Sequence, residues 1–383
     1  MAQGWLVYRL SHSGYWLGLI GFFGQAPAFL VAPLAGAVAD HFDRRKILIW
    51  VQVAEMLQAF ILAALVFSGK IELGHLLCLS IVLGVVSAFD GTTRHAFAVD
   101  MVGKGELASA IALNSVLINL ARVVGPVIAG VTLTAVGEGW CFTLNGISYL
   151  PVIWGLATMK VHKRARPPGG MRVFTHIAEG MRYARRHVVI FRILVLSTFI
   201  CLIACPYNVL LPAFAKDVFQ GNANTLAWLT GMLGLGAVTA AMLFHGSDDH
   251  QQIKRKLIAD VIFWGLALLT LGLSKNLWLS LGAMFTIGYF MMSVFPAMNN
   301  AIQHMVDDSM RGRVMSLYTM TFLGTMPLGC LAMGWLADRY TAPKTVAGAG
   351  ALTLLMGFAL VARNAIRHQL APVNELISAR LKS

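Results

Sequence analysis

The sequence predicts an all-α integral membrane protein in two helical halves, with eleven full spans and part of one more ahead of them. Three observations carry that expectation. Of 383 residues, 57% are hydrophobic and only 12% are charged, with a mean hydropathy of +0.70; soluble domains carry about 25% charged residues. Apolar runs fall near 16–39, 47–67, 73–98, 107–136, 141–158, 188–214, 226–244, 257–273, 277–304, 314–336 and 346–362, on the scale of the roughly 20 residues a span needs. Finally, 23 of the 30 Lys and Arg residues lie in every second connecting segment or at the helix edges beside it. That alternation is how cations sort across a membrane, so the net charge of +13 does not mark a nucleic-acid face.

Taken in order, residues 1–10 (MAQGWLVYRL) hold Trp5, Leu6, Val7 and Leu10 but reach about half the length of a span. They read as the outer half of a first helix whose remainder is missing. With no charged start and no small-residue cleavage site, they do not read as a cleavable signal peptide. The first full run ends in PLAGAVADHFDRRKIL, where Gly36 and Asp40 are followed by Arg44, Arg45 and Lys46. Three consecutive cations place this loop on the cytoplasmic side. Parity then puts 99–106, 160–192, 246–256, 305–313 and the C-terminus on the same side.

Glu55 lies inside the second run, and Asp90 and Arg94 lie four residues apart in the third, a spacing that lets them pair on one helix face. The fourth run carries Asn114, Asn119, Arg122, Gly125-Pro126 and Gly130. Glycine and proline there remove bulk and a backbone donor, which favours a kink and a close helix crossing. A cation at the depth of Arg122 is costly in hydrocarbon and is expected to face a cavity or a carboxylate. Asp260, near the start of a later run, is expected to reach the interface. The five cysteines, all in apolar runs, read as buried free thiols.

The expected organisation is an N-terminal half (1–158), a basic linker (159–187), a C-terminal half (188–365) and a cytoplasmic tail (366–383). Pro167-Pro168-Gly169-Gly170 breaks the helical pattern. VFTHIAEGMRYARRH then sets Val173, Ile177, Met181 and Ala184 on one face, as in a helix lying on the inner leaflet. An internal repeat relates the halves: Met101-Val102 recurs 204 residues later as Met305-Val306, and the same offset maps Gly125 onto Gly329 and Gly130 onto Gly334. Near the end, Gly334-x-x-Ala337-Asp338 echoes Gly36-x-x-Ala39-Asp40 on the opposite membrane side.

These motifs resemble the major facilitator superfamily. G-x-x-A-D-x-x-D-R-R-K at 36–46 is similar to that family's loop G-x-L-A-D-R-x-G-R-R/K, with Val38, His41 and Asp43 as departures. The fourth run resembles the exporter motif g-x-x-x-G-P-x-x-G-G at Gly125, Pro126 and Gly130, with Ala129 replacing a glycine. The stretch from Asp90 to Pro126 is similar to the siderophore and drug exporter branch, of the enterobactin exporter type. The resemblance implies the major facilitator fold of two parallel six-helix halves. It also implies a cytoplasmic gate at Gly36, Asp40, Arg44, Arg45, Asp90 and Arg94. The cavity and its seal would lie at Asn114, Asn119, Arg122, Gly125, Pro126 and Gly130, with Asp90 and Glu55 as proton-coupling candidates.

The expected function is proton-coupled export of a small amphipathic molecule, by a monomer in the bacterial inner membrane with its C-terminus in the cytoplasm. No cofactor, metal or nucleic-acid partner is expected, and no G-x-x-x-x-G-K-[ST] phosphate loop is present. Two other readings exist. One is a membrane acyltransferase using His95 and Asp100 in H-x-x-x-x-D. The other is a fragment that no longer transports.

Overall fold

A computed structural model describes residues 1–102, 107–159, 173–243 and 250–380. The Pro167–Gly170 break lies outside the described residues, as do the side chains of His95, Asp100, Asn119 and Arg122. Each expected run is helical: α2 (Gly14–His41), α3 (Arg44–Phe67), α4 (Leu73–Val102), α5 (Leu107–Ala135), α6 (Glu138–Thr158), α8 (Val188–Val218), α9 (Ala223–Leu243), α10 (His250–Leu273), α11 (Leu277–Met305), α12 (Arg311–Tyr340) and α13 (Ala342–Arg380). Two shorter helices join them: α1 (Ala2–Ser11) at the start and α7 (Val173–Arg186) in the middle. Among the described residues, nine helices (α2–α4 and α8–α13) are long and apolar enough to cross a membrane; the sequence led us to expect eleven. Hydrocarbon cannot hydrogen-bond a bare backbone, so only elements that satisfy themselves internally can span it.

Local chemistry sets the boundaries. Ser13 caps α2 by accepting the Trp16 N–H, after His12 turns the chain at φ 49°. The Asp43 carboxylate caps α3 by accepting the Arg45 and Lys46 N–H groups. In α8, Pro206 and Pro212 lack the N–H a helix needs. The chain there passes through a π turn at Ile200–Ala204, a 3-10 turn at Pro206–Leu210 and a second π turn at Phe214–Val218.

Helix pairs cross at glycines. Within the first group of helices, Phe60 and Phe67 of α3 cover Gly146 and Gly139 of α6, and Gly84 of α4 meets the Phe23 and Gly24 carbonyls of α2. Within the second group, Gly236 of α9 faces the backbone of α11, while Gly265 and Gly272 of α10 face that of α13. With lipid as apolar as leucine, such close packing is what holds helices together. The groups meet along two seams, α2 against α12 and α5 against α9.

α7 lays Gly180 against the start of α12 and buries Ala184. Glu179 pairs with Arg313 at 3.2 Å, Tyr183 donates to Asp307 at 3.0 Å, and Arg182, Arg185 and Arg186 stay exposed. α13 runs past residue 365 to Arg380.

Two expectations are corrected. Asp260 does not reach the interface: it is 4% exposed and accepts a hydrogen bond from Ser293 of α11 at 2.6 Å. α10 starts at His250, which leaves Asp260 about 15 Å inside the helix, beyond the reach of so short a side chain. Of the cysteines, Cys201, Cys205 and Cys330 are buried as expected, Cys141 is half-buried, and Cys78 is exposed, because its apolar run turns that face out of the bundle.

A methyl group at Gly236 would stand 1.9 Å from the Phe285 carbonyl, whereas one at Gly282 meets open space. Gly236→Ala should therefore cost about 1–3 kcal/mol, read as a lower unfolding midpoint in detergent. Gly282→Ala should stay within about 0.5 kcal/mol of the parent.

Candidate functional site

The polar groups of the first helix group fall into two clusters. The outer one sits at the α2–α3 loop. Arg44 donates to the Ala39 carbonyl at 3.2 Å and pairs with Asp40 at 3.4 Å. Arg45 turns away from that pair: its guanidinium donates to the Leu156 carbonyl at 2.5 Å and to that of Ala157. The last carbonyls of a helix have no partners of their own, so Arg45 closes the end of α6. Gly36 faces open space. The structure therefore brings Asp40 and Arg44 together and commits Arg45 elsewhere.

The inner cluster lies about 16 Å further along α3, taken from Arg44 to Glu55 at 1.5 Å per residue. Arg94 grips Asp90 with two nitrogens, at 3.0 Å and 2.7 Å. Gln52, 3% exposed, reaches Asp90 at 3.3 Å and Glu55 at 3.4 Å. Tyr149 of α6 stands beside Glu55 and Asn145. Three helices thus converge on two carboxylates and one guanidinium. The sequence singled out Asp90, Arg94 and Glu55, whereas Gln52, Asn145 and Tyr149 emerge only from the structure. Polar residues inside apolar runs were the available signal.

The fourth-run motif divides by position. Asn114 is exposed and Gly125 faces open space, while Pro126 is half-buried. Gly130 is buried against α9, where an added methyl would stand 2.2 Å from the Ala227 Cβ. One turn on, Thr134 and Asn224 are 2.9 Å apart.

That seam has a counterpart. Gly14 and Gly18 of α2 pack on Ala337, Gly334 and Cys330 of α12. α1 reinforces the same end: Arg9 pairs with Glu138 of α6 at 2.8 Å, and Tyr8 donates to Asp217 of α8. Among the described residues, the hydrogen bonds and close glycine contacts that join the two groups all lie from mid-helix to this one end. At the other end Gly36 and Gly312 face open space and Leu34 is 61% exposed. Among the described residues, the bundle is closed at one end and splayed at the other, around Gly36 and Gly312.

Residues 1–379 match the transmembrane secretion effector family. The chain belongs to that family, within the major facilitator superfamily. It is 25% identical over 363 residues to the staphyloferrin A transporter of Staphylococcus aureus, covering 94% of this chain and 90% of that protein. It is 22% identical over 373 residues to the multidrug efflux pump Tap of Mycolicibacterium fortuitum, again covering 94% and 90%. Among solved structures, the nucleoside transporter NupG superposes with a TM-score of 0.69 at 12% identity, over 94% of this chain and 92% of that one. A bacterial homologue of the lysosomal transporter Spinster, in an inward-facing and unoccupied conformation, gives 0.65 at 13%, over 94% and 90%. The chain is a multi-pass membrane protein, and its relatives favour transport over acyl transfer or a non-transporting fragment.

The inner cluster can be tested as a unit. Arg94→Ala leaves two carboxylates around Gln52 without their cation and should lower the unfolding midpoint. Adding Asp90→Asn should recover part of that loss, because removing one partner of a pair harms more than removing both. A double-mutant cycle on purified protein in detergent measures the coupling.

Proposed function

We propose that the protein is a secondary exporter that moves small amphipathic molecules out of the cell by alternating access, driven by protons entering. The observation that carries this reading is the bundle's asymmetry: among the described residues, the close contacts between the two groups lie from mid-helix to one end. Two groups of helices that meet mainly through glycine faces can rock about the middle of the membrane, as transporters with repeated halves do. The end bearing residues 40–46 would face the cytoplasm, on the strength of its cations, as would the C-terminus. The present state would then open inward. Export of a siderophore or drug is supported by the relatives, one a staphyloferrin A transporter and another a multidrug pump.

In this reading the inner cluster takes the proton. Glu55 and Asp90 share a single guanidinium, so one proton brings the cluster to neutrality. Charge neutrality matters there, because an unbalanced charge is costly at membrane depth. Asp40 and Arg44 serve the cytoplasmic gate. Gly130 seals the opposite end against Ala227, Asn114 and Gly125 border the path, and Asn119 and Arg122 are assigned to it from the sequence alone. The unit is a monomer in the inner membrane.

Expressed in a strain lacking its own exporters, the chain should lower accumulation of at least one member of a panel of siderophores and cationic drugs. Asp90→Asn and Arg122→Ala should each slow efflux about tenfold or more, the scale of losing one hydrogen bond to a charged group. Efflux should also stop when a protonophore collapses the proton gradient. Efflux unchanged in both variants would remove these residues from the mechanism, and efflux that survives the protonophore would remove the proton.

A further inference from the structure

At the closed end, Asp338 of α12 binds the first turn of α2. Its carboxylate accepts the Gly14 N–H at 2.6 Å and the Ser13 hydroxyl at 2.7 Å. The Gly14 N–H has no partner within its own helix and sits at the positive end of the helix dipole, so a carboxylate there makes a charge-assisted bond. The cap and the seam beneath it form one unit. A methyl at Gly18 would stand 2.4 Å from the Cys330 carbonyl, and one at Gly334 2.4 Å from the Gly14 carbonyl. The carboxylate reaches α2 because the two backbones approach this closely.

The partner helix carries the same device reversed. α2 ends in Gly36-x-x-Ala39-Asp40, with the spacing of Gly334-x-x-Ala337-Asp338. α2 and α12 run antiparallel, with Gly14 opposite Ala337, Gly18 between Cys330 and Gly334, and Phe29 on Gly324. Continued to the splayed end, this register sets Asp40 level with Arg311, the first residue of α12. There Met310 supplies no side-chain cap, and both Gly36 and Gly312 face open space.

We infer that Asp338 is a positioning residue of the transport cycle, a carboxylate latch from α12 onto α2 at the closed end. It holds the first turn of α2 while the opposite end is open, with Asp40 exposed beside Arg44. It releases that turn when the opposite end closes. Ser13, Gly14, Gly18 and Gly334 are the parts of the latch that Asp338 engages. The inference rests on the alternating-access reading for the existence of the second state.

The test uses the full chain in lipid nanodiscs. Spin labels are carried on unnatural residues at Leu34 and Ser316, so the native cysteines stay in place. Their separation reports whether the splayed end is open. Asp338→Ala should raise the population with that end closed by about tenfold or more, the scale of two hydrogen bonds to a charged group. Ser13→Ala should add little once Asp338 is gone, since both remove the same contact. Gly18→Ala should shift the population in the same direction, and Gly36→Ala in the opposite one. If Asp338→Ala fails to fold, Asp338→Asn keeps the shape and should give a smaller shift in the same direction. An unchanged distance distribution in a well-folded Asp338 variant overturns the latch, even where efflux continues. A shift in a chain that exports nothing upholds the latch and counts against the exporter reading instead.

Discussion

Backbone must meet backbone. In hydrocarbon no water is released when two helices touch, so association depends on how closely their surfaces approach. In this protein the approach is set by single glycines. Gly84 under α2, Gly139 and Gly146 under the phenylalanines of α3, Gly236 under α11 and Gly265 under α13 each admit contacts that a methyl group would block. The same rule governs the two seams between the helix groups, where Gly18 with Gly334 and Gly130 with Ala227 are the closest points. A seam of this kind is smooth and mostly apolar, and it offers little resistance to rolling. Its directional bonds gather toward the closed end, which is where Asp338, Asn224 and Asp217 stand.

Polar residues are correspondingly few and placed by depth. At the α2–α3 loop, Asp43 and Arg45 do ordinary helix work, capping the start of α3 and the end of α6. That fixes the loop rigidly to its own group and leaves Asp40 exposed at the splayed end. Deeper in, Gln52, Glu55, Asp90 and Arg94 satisfy one another across two helices of one group, with Tyr149 of a third beside them. A cluster confined to one group can change its protonation without breaking a seam. α4 joins that cluster to a seam, since it packs on both α3 and α2.

The elements were legible because apolar length is unmistakable at this hydropathy, and each expected run became a helix. Less legible was which side of each helix faces lipid. Cys78 shows the difficulty: an apolar stretch looks the same whether it faces lipid or protein, so a thiol expected inside lies on the outer surface. Asp260 shows a second limit. Its burial follows from where α10 begins, seven residues before its apolar run, and the polar residues at that start gave no sign of a helix. The loop motif gave Asp40 and Arg44 directly, but the closed-end contact lay hidden in a short echo. Gly-x-x-Ala-Asp is too brief to mean much until Gly334 and Asp338 are found beside Gly14.

The least regular backbone in the bundle lies along the closed seam. α8 gives up its α-helical ladder between Ile200 and Val218, where Pro206 and Pro212 withhold their donors. This stretch touches both seam helices: Val209 lies against Gly21 of α2, and Leu202 and Pro206 lie against Gly329 of α12. Short π and 3-10 turns inside a long helix commonly mark functional hinges, and a helix bends most readily where its ladder is interrupted. When α2 and α12 roll against each other, their neighbour has to change shape or lose contact with one of them. α8 can bend at the depth where both touch it, so it can follow the roll. It follows that the closed end is held together by replaceable hydrogen bonds on a compliant backing, which suits the alternating access proposed for this seam.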